Sequence, residues 1–196
     1  MAQVLKPAVR RLIVERAELV FASEGYHRAT VSMIADRAGV AVGTVYTYFP
    51  SKLHLLYAVY RPWLEGQMDK IAAASDAEKT PRAKLKAIML GLWRDTPTAN
   101  PGLANSLMEA LATADPAKGK IEPLLIQTER RLAAMLAKAL PHARRRFADD
   151  LVGNLLLMAY DGYVINRRLG DLRDYDKLAD IMADLLLGRT ENGAGA

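Results

Sequence analysis

Apolar residues recur along this chain at intervals of three and four, the period of a helix with one buried face. No stretch alternates in the manner of a half-buried strand. Val9, Leu12, Ile13, Ala17, Val20 and Phe21 form the first stripe, closed by Gly25. Thr30 stands as a cap before Val31, Ile34 and Ala35, and Gly39 closes that segment. A short segment over 42–49 stops before Pro50. Ser51 then caps a helix carrying Leu53, Leu56, Tyr57 and Tyr60. Pro62 is expected to end or kink it, because proline brings no N–H and collides with the preceding turn.

The rest of the chain repeats this grammar. Thr80–Pro81 and Asn100–Pro101 read as cap-plus-proline starts. The first opens Leu85, Ile88, Met89 and Leu92; the second opens Leu103, Leu107, Met108 and Leu111. Asp115–Pro116 is expected to begin a helix through Leu125, Leu132, Met135 and Leu136, interrupted at Pro123. Two more are expected over about 144–169 and 172–187, ended by Gly170 and Gly188. The fold class is therefore all-α, with about nine helices and no internal repeat. Residues 189–196 are expected to be a disordered tail.

Composition narrows the class. Of 196 residues, 51% are hydrophobic and 25% charged, the balance of a chain able to bury a core. No apolar run has the length of a membrane span, and the first residues lack the apolar core of a signal peptide. Cysteine is absent, which excludes disulfides and thiol catalysis and fits a cytoplasmic protein. The net charge is +5. Residues 1–60 hold seven Lys/Arg against four acids, so three of those charges sit in under a third of the chain. This bias permits an anionic partner without requiring one.

Residues 30–49 read TVSMIADRAGVAVGTVYTYF. Two short helices flank a tight turn at Gly39, where glycine can adopt the left-handed conformation. Ala35 is small where the helices must cross, and Val40 and Val45 can plug the space between them. This is helix-turn-helix spacing, whose second helix lies in a major groove; a generic helical hairpin shares it.

The longer stretch FASEGYHRATVSMIADRAGVAVGTVYTYFPSKLHLL resembles the DNA-binding segment of TetR-family regulators. The matching pieces are Phe21-Ala22, Gly25-Tyr26, Thr30, Ile34-Ala35, Ala38-Gly39-Val40, Gly43-Thr44, Tyr46, Tyr48-Phe49 and Ser51-Lys52. They cover residues 10–56. The resemblance implies an N-terminal three-helix helix-turn-helix domain over 1–50 and a C-terminal helical ligand-binding and dimerisation domain over 51–188. It also implies a homodimer on a palindromic operator in double-stranded DNA, released by a small-molecule effector.

The DNA-binding candidates are Thr30, Val42, Gly43, Thr44, Tyr46, Thr47, Tyr48 and Lys52. Thr44, Tyr46 and Thr47 are candidates for the groove. Tyr48 and Lys52 match family positions that grip phosphate. Thr30 can contact phosphate, cap its own helix, or do both. Two departures stand out: Ala41-Val42 replaces a common serine followed by a polar or basic residue, and Thr47 replaces a frequent histidine. No Lys or Arg occurs from Ala38 to Ser51, so the second helix has no long cation to read guanine edges.

Trp63, Met89, Trp93, Asn105, Met108, Met135, Met158, Tyr160 and Asp161 are candidates for a small-molecule pocket. Methionine lines irregular pockets but also fills ordinary cores. Leu151, Leu155, Met158, Gly162, Ile165, Leu178, Met182 and Leu185 are candidates for a dimer interface, with packing inside one chain as the alternative. His27, His54 and His142 are scattered and have no metal-ligand spacing. There is no nucleophile elbow or phosphate-binding glycine loop. No cofactor, metal or catalytic residue is expected, and the chain is read as a regulator rather than an enzyme. The competing reading is a helical binding module whose head no longer binds DNA specifically.

Overall fold

The structure is a computed structural model that describes residues 6–113, 123–170 and 173–188. The tail 189–196 lies outside the described residues, and so does the helix start expected at Asp115–Pro116. The described residues contain ten α-helices and no strand. Packing divides the chain into two compact units, Met1–Leu64 with Asn100–Lys118 and Glu65–Ala99 with Gly119–Ala196.

In the first unit, α1 (Pro7–Arg28) starts on proline and buries Ile13, Ala17, Val20 and Phe21 on one face. Burying a side chain such as Phe21 contributes about 2 to 3 kcal/mol. Gly25 breaks the helical conformation within this span, at φ 75°. α2 (Val31–Ala38) is capped by Thr30, whose side chain accepts from the Met33 N–H at 3.1 Å. It ends at Gly39, which is left-handed at φ 65°. There the Val40 N–H returns to the Ala35 carbonyl at 3.0 Å and the Gly39 N–H to Asp36 at 3.2 Å, closing the last turn. α3 (Val42–Tyr48) follows after two residues. Buried Ile34, Ala35, Ala38 and Val45 supply the contact between α2 and α3.

α7 (Pro101–Ala112) packs along α1. The Ser106 hydroxyl donates to the Phe21 carbonyl at 2.8 Å, and Glu109 accepts from the His27 N–H at 3.1 Å. Gly102 is required here, because a Cβ at that position falls on the Ala22 carbonyl.

α4 (Lys52–Ala77) runs through Pro62: of the two outcomes expected there, an end or a kink, the helix does not end. Proline forfeits one hydrogen bond and strains the preceding turn. The apolar stripe nevertheless continues in register through Leu55, Leu56, Val59, Tyr60, Leu64, Met68 and Ile71, all buried. Burial along that stripe outweighs the local cost.

The second unit contains α5 (Pro81–Leu90), a π-helical segment Gly91–Asp95 and α6 (Thr96–Ala99), which follow without interruption. The Thr96 N–H returns five residues to the Gly91 carbonyl, and Pro97, which follows, has no N–H for the Trp93 carbonyl four residues back. Hydroxyls satisfy nearby carbonyls: Thr96 donates to Gly91 at 2.7 Å, and Thr98 to Arg94 at 2.7 Å.

α8 (Pro123–Ala139) packs against α9 (Asp150–Arg168). The helix expected from about 144 begins at Asp150 instead. Residues His142–Phe147 form a 3₁₀ turn, and Asp149 caps α9 by accepting the Leu151 N–H at 2.7 Å. α10 (Tyr175–Leu187) is capped by Asp174 and lies against α5. An ion ladder fixes that pair. Arg82 makes a two-pronged contact with Asp184 at 2.9 and 3.0 Å, Lys86 reaches Asp180 at 2.9 Å, and Arg94 reaches Asp176 at 3.1 Å. The hydrogen bond from Lys86, helped by the charge of Arg82, holds the Asp180 carboxyl below the usual carboxylate range. Among the described residues, no helix is long and apolar enough to cross a membrane.

Candidate functional site

The Gly39 turn presents one face of α3 to solvent. Val42, Gly43, Tyr46 and Thr47 are exposed on it, at the i, i+1, i+4, i+5 spacing of one helical side. Val45 is buried on the opposite side, and Thr44 is half-buried. Thr47 donates its hydroxyl proton to the Gly43 carbonyl at 2.9 Å. This leaves its methyl and both oxygen lone pairs for an outside partner.

The two expected phosphate-gripping residues are both engaged within the unit. The Tyr48 hydroxyl accepts the Lys6 N–H at 2.9 Å and approaches the Lys6 carbonyl at 3.3 Å. Lys52 donates to the carbonyls of Tyr26 at 2.7 Å and Ala29 at 3.0 Å, and its ammonium lies 4.2 Å from the centre of the Tyr26 ring. Burial pushes the Lys52 ammonium below its usual range, against the opposing influence of Glu109. Burial likewise raises the Tyr26 phenol. An ammonium has three donors, so one remains on Lys52. Thr30 serves as the cap already described, with its side chain exposed enough for a second contact.

Two cations not singled out in the sequence are brought beside α3 by these contacts. Lys6 is held by Tyr48, and the Arg10 guanidinium lies 5.2 Å from the centre of the Phe49 ring. Both are exposed. The run KPAVRR carried their charge in the sequence, but not their position next to the end of α3. Ser51 caps α4 by accepting the His54 N–H at 3.2 Å.

The expected pocket residues fall in both units. Trp63, Asn105 and Met108 belong to the first unit, and the other six belong to the second. Within the second unit, Met89, Met135 and Tyr160 are buried in the core. Trp93 and Met158 line a groove of about 460 Å³ between α9 and α10, and the Trp93 indole donates to the Leu156 carbonyl at 3.0 Å. Asp161 is half-buried, and desolvation raises its carboxyl to about 6. A second groove, of about 470 Å³, lies among α4, α5 and the π segment.

The expected dimer residues form an exposed apolar face. Leu151 is 79% exposed and Leu185 63%, and Leu155, Met158, Ile165 and Leu178 are also exposed. Leu169 and Ile181 extend the same face. Met182 and Gly162 are half-buried, and nothing lies within 4 Å of a Cβ built on Gly162.

Residues 13–59 match the family model described as bacterial regulatory proteins, tetR family. The chain is 31% identical to the HTH-type transcriptional repressor KstR of Mycolicibacterium smegmatis, over 93% of this chain and 89% of that one. Among solved structures, it resembles the fatty acid degradation regulator FadR from Bacillus halodurans, with a TM-score of 0.68, 26% identity and coverage of 95% and 98%. FadR from Bacillus subtilis, solved in complex with stearoyl-CoA, gives a TM-score of 0.67 at 21% identity, covering 92% and 99%.

Proposed function

This chain belongs to the tetR family of bacterial regulatory proteins, and on that premise we propose that it is a repressor that holds a palindromic operator as a homodimer and releases it when a small effector binds. The carrying observation is the exposed face of α3, with Val42, Gly43, Tyr46 and Thr47 presented by the left-handed turn at Gly39. With no cation on that helix, it reads bases through methyl and hydroxyl contacts, thymine methyl groups among them. The charge that grips phosphate comes from Lys6 and Arg10, with the remaining donor of Lys52 and the capped start of α4 beside it.

The apolar face of α9 and α10 supports the homodimer. A contiguous exposed patch of this kind marks an interaction surface. Two-fold symmetry would set two α3 helices on successive major grooves. The effector is small and largely apolar or aromatic. The name of the Bacillus halodurans protein and the stearoyl-CoA complex of its Bacillus subtilis counterpart make an acyl chain the first apolar group to test. The protein acts in the cytoplasm and performs no catalysis.

Selection from random duplexes with the full-length protein tests this reading. The expected result is an enriched palindrome whose half-sites lie about one helical turn apart. The engagement of both Tyr48 and Lys52 within the head favours a second reading, a binding module without specific DNA recognition. An intact dimer that enriches no sequence would establish that alternative.

A further inference from the structure

The groove among α4, α5 and the π segment has the features of a binding site. Its volume of about 470 Å³ falls within the range that holds small ligands. Its walls are apolar at Ile71 and Leu90. Gly91 permits the close approach of the two helices there, since a Cβ on it would meet Ile71 Cγ1 at 2.7 Å. Gln67 lines the groove at 9% exposure, and its amide has no hydrogen-bond partner among the described residues. The amide is open to the groove, where a ligand can reach it.

Three cations line the same groove: Lys70, Lys86 and Arg94. Lys70 is exposed and has no ion pair among the described residues. Lys86 and Arg94 already hold Asp180 and Asp176 of α10. Glu78 and Asp95 also border the groove, leaving one net positive charge among its titratable residues. The other large groove, between α9 and α10, is walled by Leu155, Met158 and Leu178 of the apolar face and would be covered in the homodimer.

We propose that the α4–α5 groove is the effector site, and that its ligand is an anionic amphiphile: an apolar chain against Ile71 and Leu90, a polar junction on Gln67, and an anionic head on Lys70 and Arg94. This rests on the repressor reading and assigns its effector a place and a chemistry. Arg94 also holds Asp95 at 2.7 Å, so the head competes with both Asp95 and Asp176 for it, and binding loosens one rung of the ladder to α10, a helix of the dimer face. The anion can be the carboxylate of a free acid or the phosphates of a coenzyme A thioester.

The test is calorimetric titration of the full-length protein with dodecanoate, dodecanoyl-CoA and dodecanol. At least one of the two anions should bind at least tenfold more tightly than the alcohol, and which of them does so identifies the source of the charge. Gln67→Leu and Lys70→Gln should each weaken that anion at least fivefold. Lys70→Gln changes an exposed, unpaired side chain and should leave the melting temperature unaltered. Gln67→Leu should lower affinity and leave the melting temperature nearly unaltered. Neither anion binding, equal affinity for the alcohol, or unchanged affinity in both variants overturns the proposal. DNA binding by the unliganded protein is measured in parallel. Its loss counts against the repressor reading, whereas intact DNA binding with no anion bound counts against the groove alone.

Discussion

The Tyr48 hydroxyl is fastened to the backbone of Lys6, accepting its N–H at 2.9 Å across 42 residues of sequence. A residue expected to touch phosphate thus positions the start of α1, and the charge carried there, beside the end of α3. Tyr48→Phe removes the hydroxyl and keeps the ring. An exposed hydrogen bond of this kind contributes about 1 kcal/mol. Operator affinity should fall by roughly three- to tenfold, with the melting temperature nearly unchanged. Fluorescence anisotropy and thermal melts measure both; unaltered affinity would show that the fastening plays no part in recognition.

Two glycines should respond to alanine for different reasons. At Gly39 the backbone is left-handed but the surroundings are open. Gly39→Ala should therefore cost only the conformational penalty, about 1 to 2 kcal/mol. At Gly102 the added Cβ meets the Ala22 carbonyl, which belongs to a packed helix and has little freedom to move. Gly102→Ala should cost more, about 3 kcal/mol, within the range of overpacking effects. Urea denaturation gives the order of the two directly.

The helical face and the turn were legible in the sequence because their causes are local. The stripe from Ile13 to Phe21, the Thr30 cap and the glycine at position 39 each act within a few residues. At Pro62 the choice between an end and a kink was not legible, because the burial that carries α4 past it depends on partners remote in sequence. At the site, the exposed residues of α3 were indicated by the resemblance to TetR-family regulators, which also pointed to Thr44, a residue that lies half-buried. The engagement of Lys52 with the Tyr26 and Ala29 carbonyls was not indicated, since it depends on where the end of α1 lies. The same is true of Lys6 and Arg10, whose charge was counted but whose neighbours were hidden.

Asp161 gives the fold a specific pH dependence. Desolvation raises its carboxyl to about 6 in the folded protein, above its ordinary value of 3.8. Between those values the folded state holds more proton than the unfolded one, so stability falls as pH rises through that window. The penalty is complete above about pH 6 and is relieved towards pH 4. Asp161→Asn should raise stability at pH 7.5 by about 1 to 2 kcal/mol and flatten the difference from wild type near pH 4. Parallel denaturation curves across that range, with no convergence at low pH, would refute this assignment.

The exposed face of α9 and α10 predicts a dimer sensitive to charge. Leu155→Arg or Leu185→Arg places a cation where an apolar partner surface is expected, and should weaken association at least a hundredfold, about 3 kcal/mol. Light scattering at micromolar concentration should show a dimer for the wild type and a folded monomer for the variants. A wild-type monomer would remove the basis for a palindromic site.

The central claim is that the exposed side of α3 reads the bases while Lys6 and Arg10 supply the grip. The most direct measurement is an affinity profile across every single-base variant of the selected operator, compared among wild type, Tyr46→Ala with Thr47→Ala, and Lys6→Gln with Arg10→Gln. The account predicts that the α3 variant loses discrimination at particular base positions. It predicts that the cation variant weakens all sequences alike and lowers the slope of log affinity against log salt by about 2. Uniform weakening by the α3 variant, with base preferences unchanged, would contradict the account.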